Sequence, residues 1–340
     1  QILKRFRRVV DLSVNNYVIP DTTPTPSAHE ECEKVAGKTY YAETDWRSAY
    51  HQVLMMLISQ VLTQHRTSEG VLQYTRLPQG LVNASQRLHR CQRALFGALD
   101  GVAGYFDNNC MSCDDLWGLL DIVERFLEIC TTHNVRLKNF SFGLTKMPWI
   151  GHLLTKEGIS IDPSLQGGLF KMDFPDDQRL VASFSRAVGW MRSFLSPKFA
   201  HHAAVLLDYG SCKKITAEIR DEATNSFKAI QAMLRSPLVL KPFKNDLPTE
   251  LSVDWSERAV GACLRQKDGA NWFPTFSVSR RFTVVEQKSI GRDSAKCGTV
   301  ALVGSTRRHQ PFLIWLSSFI VRSDSGNLAW LRSSTSQCAL

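Results

Sequence analysis

Three prolines, Pro237, Pro242 and Pro248, stand between two regions of this chain that each open with strand-like alternation. Proline lacks the N–H a ladder or helix needs and fixes φ, so no regular element runs through such a stretch. With 340 residues to place, the break predicts two or three domains. Ahead of it, Tyr40–Thr44 reads as a strand running into a turn and then a helix. Residues 71–76 read as a strand ending at the Leu77-Pro78-Gln79-Gly80 turn, followed by a helix over about 83–98. Gly101–Asn109 reads as a strand with a polar turn. Leu116, Leu119, Leu120, Val123, Phe126, Leu127 and Cys130 recur at helical spacing. Asp114 and Asp115 open that helix and suit capping better than metal binding. Residues 179–240 are mostly helical with a break at Ser196-Pro197, and beyond the prolines strands are expected at Leu251–Asp254, Trp272–Val278 and Phe319–Arg322.

The longest apolar runs, Val53–Leu62 and Phe312–Val321, are about half of a bilayer span, so no membrane segment is expected. The charge of +9 favours a polyanionic partner such as nucleic acid. Nine cysteines in no regular framework point to reduced thiols in an intracellular compartment. Cys110 and Cys113 form a lone CxxC without the second pair a zinc site needs, and read as structural. The chain opens on Gln1 with no signal-peptide pattern and reads as a piece of something longer.

Nucleotide polymerisation uses carboxylates on neighbouring strands to hold two divalent ions, one activating the attacking hydroxyl and one steadying the leaving phosphate. Asp45, just past an apolar strand, and Asp107, in the turn after Val102-Ala103-Gly104-Tyr105-Phe106, are the candidates. Either alone is an ordinary turn aspartate.

Their surroundings change that. Thr44-Asp45-Trp46-Arg47-Ser48-Ala49-Tyr50-His51-Gln52 resembles the first polymerase motif of gypsy-type reverse transcriptases, roughly LDLRSGYHQ. Leu77-Pro78-Gln79-Gly80-Leu81-Val82-Asn83-Ala84 is similar to the family's LP-x-GL-x-NA segment, and Tyr105-Phe106-Asp107-Asn108 takes the place of its Y-x-D-D box. Trp149-Ile150-Gly151-His152, with Glu157-Gly158-Ile159 and Asp162-Pro163, and then Trp190-Met191-Arg192-Ser193-Phe194, continue the family order. Past the prolines, Leu251-Ser252-Val253-Asp254-Trp255-Ser256 and Gly261-Ala262-Cys263-Leu264 resemble the opening of the attached RNase H domain. Phe276–Phe282 and Phe319-Ile320-Val321-Arg322-Ser323-Asp324 follow in its order.

The resemblance implies an α/β (α+β) fold: fingers and palm over 1–165, a helical thumb or connection over 166–248, and an RNase H-like domain over 249–340, incomplete at its end. It implies an RNA-directed DNA polymerase with RNase H activity, using Mg²⁺ or Mn²⁺ and acting on an RNA template, a DNA primer, dNTP and an RNA–DNA hybrid. Asp45 and Asp107 would hold polymerase metal, Asp254 and Asp324 RNase H metal. Arg7 would grip the nucleotide triphosphate, Tyr50 would gate against a ribose 2′-hydroxyl, Gln79 would lie near the nucleotide sugar and template, and Lys138 would take the phosphate-side acid position.

Several positions depart from the pattern. Asn108 stands where the box has its second aspartate, and supplies an oxygen without a charge. The RNase H glutamate falls on Gly298 or, in a second alignment, Ala295, with Asp293 the nearby acid. The segment after Leu137 is about two residues short of the family's pattern, and the family's DYRxLN is reduced to Asp11-Leu12-Ser13-Val14-Asn15. These losses predict weakened catalysis. The other readings they leave open are a non-catalytic nucleic-acid-binding module and an unselected remnant of an element.

Overall fold

The computed structural model describes Leu12, residues 17–169 and 171–283, and the backbone of 320–323 and 328–330. Two compact units divide the chain: residues to Ile150 with Leu154–Lys156, and Gly151–Leu153 with the residues from Glu157 onward.

The first unit opens with α1 (Ala28–Val35), whose Ser27 and Glu30 close a reciprocal capping box. After β1 (Tyr40–Trp46) come a 3₁₀ turn at Ala49–Gln52, α2 (Leu57–Val61) and the hairpin β2 (His65–Thr67) and β3 (Gly70–Leu72). Then follow α3 (Ala84–Phe96), β4 (Val102–Tyr105), β5 (Asn108–Cys113), α4 (Leu116–Thr132), β6 (Leu137–Leu144) and β7 (Met147–Trp149). β4, β5, β1 and β6 lie in that order in an all-antiparallel sheet. On one face Ala42, Trp46 and Met111 pack against Leu88 and Phe96 of α3 and Phe126 of α4, with the Phe96 and Phe126 rings stacked at 4.3 Å. Burial of each large side chain is worth about 1.5–3 kcal/mol, so this layer holds the helices to the sheet. Strand alternation then turns Tyr41, Glu43 and Asp45 to the other face.

The helix expected over 83–98 runs Ala84–Phe96 and ends at Gly97. Asp115 caps α4 by accepting from Gly118 N–H at 2.7 Å, while Asp114 pairs with Lys38 at 2.7 Å. The strand expected over 71–76 shortens to Gly70–Leu72. Its later residues bond elsewhere: Tyr74 N–H donates to Thr63 Oγ1, and the Thr75 carbonyl accepts from Met55 N–H. All described cysteines are free, and burial pushes the Cys110 thiol well above its ordinary range.

Two short strands, β8 (His152–Thr155) and β9 (Gly158–Ile161), lead to α5 (Pro163–Gln166). In the second unit α6 (Gln178–Val188), a 3₁₀ segment at Gly189–Phe194, α7 (Phe199–Ser211) and α8 (Ala217–Arg235) pack together, Phe184 lying 4.3 Å from Phe227. The expected break at Ser196-Pro197 separates the 3₁₀ segment from α7. Strands β10 (Thr249–Trp255), β11 (Ala259–Asp268), β12 (Asn271–Arg281), β13 (Ile320–Ser323) and β14 (Leu328–Trp330) form a mixed sheet in the order β12-β11-β10-β13-β14, with β10 and β13 parallel. The proline segment lies along this unit: Leu238 N–H reaches the Phe194 carbonyl, Lys241 N–H the Pro274 carbonyl, and Lys244 N–H the Gln266 side chain. Among the described residues, no helix is long and apolar enough to cross a membrane.

Candidate active site

Asp45, next to last in β1, stands directly opposite Asn108, the first residue of β5, and Asn108 in turn stands opposite Tyr105 of β4. On the far side of β1 the partner of Asp45 is Lys138 of β6. Directly opposed residues of an antiparallel sheet share a face. Tyr105, Asn108, Asp45 and Lys138 therefore form one row across the palm sheet, on the face away from α3 and α4. Between Thr44 and Asp45 the β6 register slips, and Asn139 takes a left-handed φ of 53° there. This irregularity delivers the Asn139 amide to Asp45 Oδ2 at 3.4 Å and brings Lys138 into the row.

Asp107 is the second residue of the two-residue loop joining β4 to β5. Phe106, the first, holds φ at 55°, an uncommon and strained conformation for an aromatic residue. Primed turns need such a φ to match strand twist. The loop is tied back to β1 by Trp46 N–H donating to the Asp107 carbonyl at 2.8 Å. Asp45, Asp107 and Asn108 are thereby gathered at one end of the sheet, all half-buried. Glu43, one step along the Asp45 face, has its carboxyl pushed up from the ordinary range by burial and then by the Asp45 charge.

Tyr50 comes from the 3₁₀ turn after β1, packs on the palm core and shares a hydrogen bond with Ser85 at 3.2 Å. Gln79 is exposed, in the loop before Gly80. Arg7 lies outside the described residues. Three side chains that secure the hairpin were not singled out from the sequence: Gln92, Asn109 and Glu31. The signal for Gln92 was there, a lone amide in the row Leu88, Gln92, Phe96 of an otherwise apolar helix face.

In the second unit Asp254 stands opposite Gly261, and on the other side of β10 Val253 pairs with Ser323. Asp324, Asp293, Ala295 and Gly298 lie outside the described residues. Asp254 borders a cavity of about 190 Å³ shared with Lys198, His201 and His202 at the start of α7, and with Ser256. The turn before α7 presses on β11 so closely that a Cβ on Gly261 would come within 2.2 Å of the Pro197 carbonyl. His201 Nδ1 lies 3.0 Å from Ser256 Oγ, and His202 Nδ1 lies 3.2 Å from Ser226 Oγ. Burial, helped by His201 and Lys198, lowers the His202 pKa.

Two carboxylates and an amide at the palm provide hard oxygen donors, but one charge fewer than the full set the resemblance implies. Among the described residues no group of three or more His, Cys, Asp and Glu side chains could hold a metal ion. The donors present thus fit a two-ion site incompletely.

Residues 1–140 match the family model for reverse transcriptase (RNA-dependent DNA polymerase). Residues 219–314 match the RNase H-like domain found in reverse transcriptase. The chain thus carries one region that matches a reverse transcriptase and one that matches the RNase H-like domain found in reverse transcriptase. Its curated relatives are retrotransposon Pol polyproteins, gypsy among them. The chain is 24% identical over 337 residues to the retrovirus-related Pol polyprotein from transposon 412 of Drosophila melanogaster, covering 97% of this chain and 27% of that protein. It is 26% identical over 300 residues to the Pol polyprotein from transposon gypsy of the same species, covering 83% and 28%. The chain thus spans under a third of the length of these relatives. Among solved structures, the foamy viral protease-reverse transcriptase in complex with RNA/DNA hybrid matches with a TM-score of 0.75 at 17% identity, over 91% of this chain and 42% of that one. The same enzyme in complex with dsDNA gives 0.74 at 18%, over 91% and 64%. At that identity the likeness speaks for the fold alone.

Proposed function

We propose that this chain has the frame of an RNA-directed DNA polymerase with an RNase H domain, and that its catalysis is weakened at Asn108. The observation that carries the reading is the direct opposition of Asp45 and Asn108 across β1 and β5, with Asp107 tied in beside them. Mg²⁺ or Mn²⁺, when bound, would activate a primer hydroxyl and neutralise charge on the leaving phosphate. Asp45 and Asp107 are the anionic donors for it, and Asn108 orients an amide oxygen without adding charge. Tyr50 bounds the nucleotide pocket on the sugar side, Gln79 lies near sugar and template, and Arg7 grips the triphosphate.

The RNA template, DNA primer, dNTP and RNA–DNA hybrid follow from the same reading. The basic charge of +9 and the foamy viral enzyme's dsDNA and RNA/DNA complexes support nucleic acid as the partner. The domain roles proposed are fingers and palm to residue 165, thumb or connection over 166–248, and RNase H-like from 249. In that last domain Asp254 and Asp324 are the candidate metal-binding acids. The missing acid at Asn108 favours one second reading, a non-catalytic module that still grips primer and template.

Primer extension on an RNA template with Mg²⁺ and with Mn²⁺ separates the two. Extension by the chain or by its Asn108→Asp variant that vanishes with Asp45→Asn supports the polymerase frame. Hybrid binding with no extension by either protein leaves the binding module.

A further inference from the structure

The β4–β5 hairpin is held by a buried amide that the polymerase reading does not use. Gln92 occupies the apolar row of α3 between Leu88 and Phe96 and is 2% exposed. Its Nε2 donates to the main-chain carbonyl of Asn108 at 3.2 Å and to Oδ1 of the fully buried Asn109 at 2.8 Å. The rest of its side chain lies over Gly104 of β4, where an added Cβ would come within 2.4 Å of Gln92 Cδ. Asn109 stands opposite both Gly104 and Thr44. One side chain therefore touches both strands of the hairpin, just behind the loop that carries Asp107. Along β4 itself, Gly104 N–H donates to the buried Glu31 of α1 at 3.3 Å.

Stability is a poor reason for such a pair. Two complementary apolar side chains in this layer would be as stable or more so, whereas amides in a core must be satisfied. Gln92 Oε1 and Asn109 Nδ2 are buried with no hydrogen-bond partner among the described residues. What an apolar pair cannot supply is the bond to the Asn108 carbonyl, which fixes that peptide relative to α3.

We propose that Gln92 is a positioning residue for the palm turn, holding the Asn108 peptide so that Asp107 and Asn108 stay in register with Asp45. The functional part of this rests on the polymerase reading above; the mechanical part does not. Trp46 N–H, which donates to the Asp107 carbonyl, reports the turn's placement without any chemistry.

The test compares Gln92→Leu, Asn109→Leu and the double variant by thermal unfolding and by native-state hydrogen exchange at the Trp46 amide. The exchange is referred to Ala42 on the same strand. The expected result is that the double variant regains most of the stability lost by Gln92→Leu, while Trp46 still exchanges about tenfold faster than in the parent. Adding Gln92→Leu and Asn109→Leu to Asn108→Asp should lower kcat for extension about tenfold with little change in KM. If the double variant regains both stability and Trp46 protection, Gln92 is only the core partner of Asn109 and the proposal is overturned. Faster Trp46 exchange with no extension by any variant would instead sink the polymerase reading and leave the positioning role standing. Because the double variant keeps the core apolar, the exchange comparison holds even if Gln92→Leu alone fails to fold.

Discussion

Asp45 of β1 and Asn108 of β5 face one another as direct cross-strand partners, a carboxylate and an amide where two like charges would otherwise meet. Their Cβ atoms are about 5 Å apart in such a pair. Two carboxylates at that separation repel unless a cation lies between them. The amide removes that repulsion and, on the function proposed above, part of the pull on a divalent cation.

Asn108→Asp should give primer extension on an RNA template above the parent's level by about 100-fold or more, the scale of loss expected when a catalytic centre is mispositioned. Without divalent metal the variant should be less stable than the parent, because the introduced carboxylate then repels that of Asp45. Extension assays and thermal unfolding with and without Mn²⁺ check both halves. An Asn108→Asp protein that binds hybrid, folds and still does not extend would mean that the missing charge is not the main defect.

Hydrolysis of a labelled RNA–DNA hybrid should be undetectable with either Mg²⁺ or Mn²⁺. Asp254 and Asp324 are the only acids of the RNase H pattern recognisable in the sequence, and the glutamate position falls on glycine or alanine. Cleavage by the parent that disappears in Asp254→Asn would refute this, and Asp293→Asn would then show whether Asp293 substitutes.

Binding to an RNA–DNA hybrid should be tolerant of sequence and sensitive to salt. With +9 formal charge on the chain, log affinity should fall linearly against log salt concentration. Fluorescence anisotropy titrations from low to physiological salt measure the slope. A folded chain without affinity at low salt removes both the polymerase and the binding-module readings.

Acid should loosen the second unit through His202. Its folded pKa lies below 6.5 because burial disfavours the imidazolium, so the unfolded chain takes up a proton first as pH falls. His202's relative contribution is thus fully present above about 6.5 and is lost as pH falls from there through the folded value. His202→Gln should flatten the pH dependence of thermal unfolding below pH 6.5; an unchanged profile would rule His202 out as the source.

Much of this arrangement was legible in the sequence. Leu116 to Cys130 specified a helix through spacing alone, and Asp45 and Asp107 drew meaning from the motifs around them. Register is where such reading stops, because strand alternation assigns faces but not partners. The resemblance pointed to Lys138 for this site, but the row it shares with Asp45 depends on the register slip beside Asn139, which residue order does not show. Gln92 and Asn109 lie 17 residues apart and meet only once β5 has paired and α3 has docked. The strand expected over 71–76 shortened for a related reason, the Tyr74 N–H being claimed by the Thr63 hydroxyl and the Thr75 carbonyl by the Met55 N–H.

The contact between the Pro197 carbonyl and Gly261 bears on how this molecule can be divided. Ser277 Oγ donates to the Leu195 carbonyl, and Arg281 pairs with Asp208, so β12 is fastened to the same stretch of chain. A nuclease-like fragment excised after Pro248 would lose all three attachments at once, leaving the buried Ser277 hydroxyl without the Leu195 carbonyl that now accepts from it and Arg281 without Asp208. The strands beyond the prolines are thus not a freestanding cassette: their autonomy ends at a face shaped to receive the turn before Phe199.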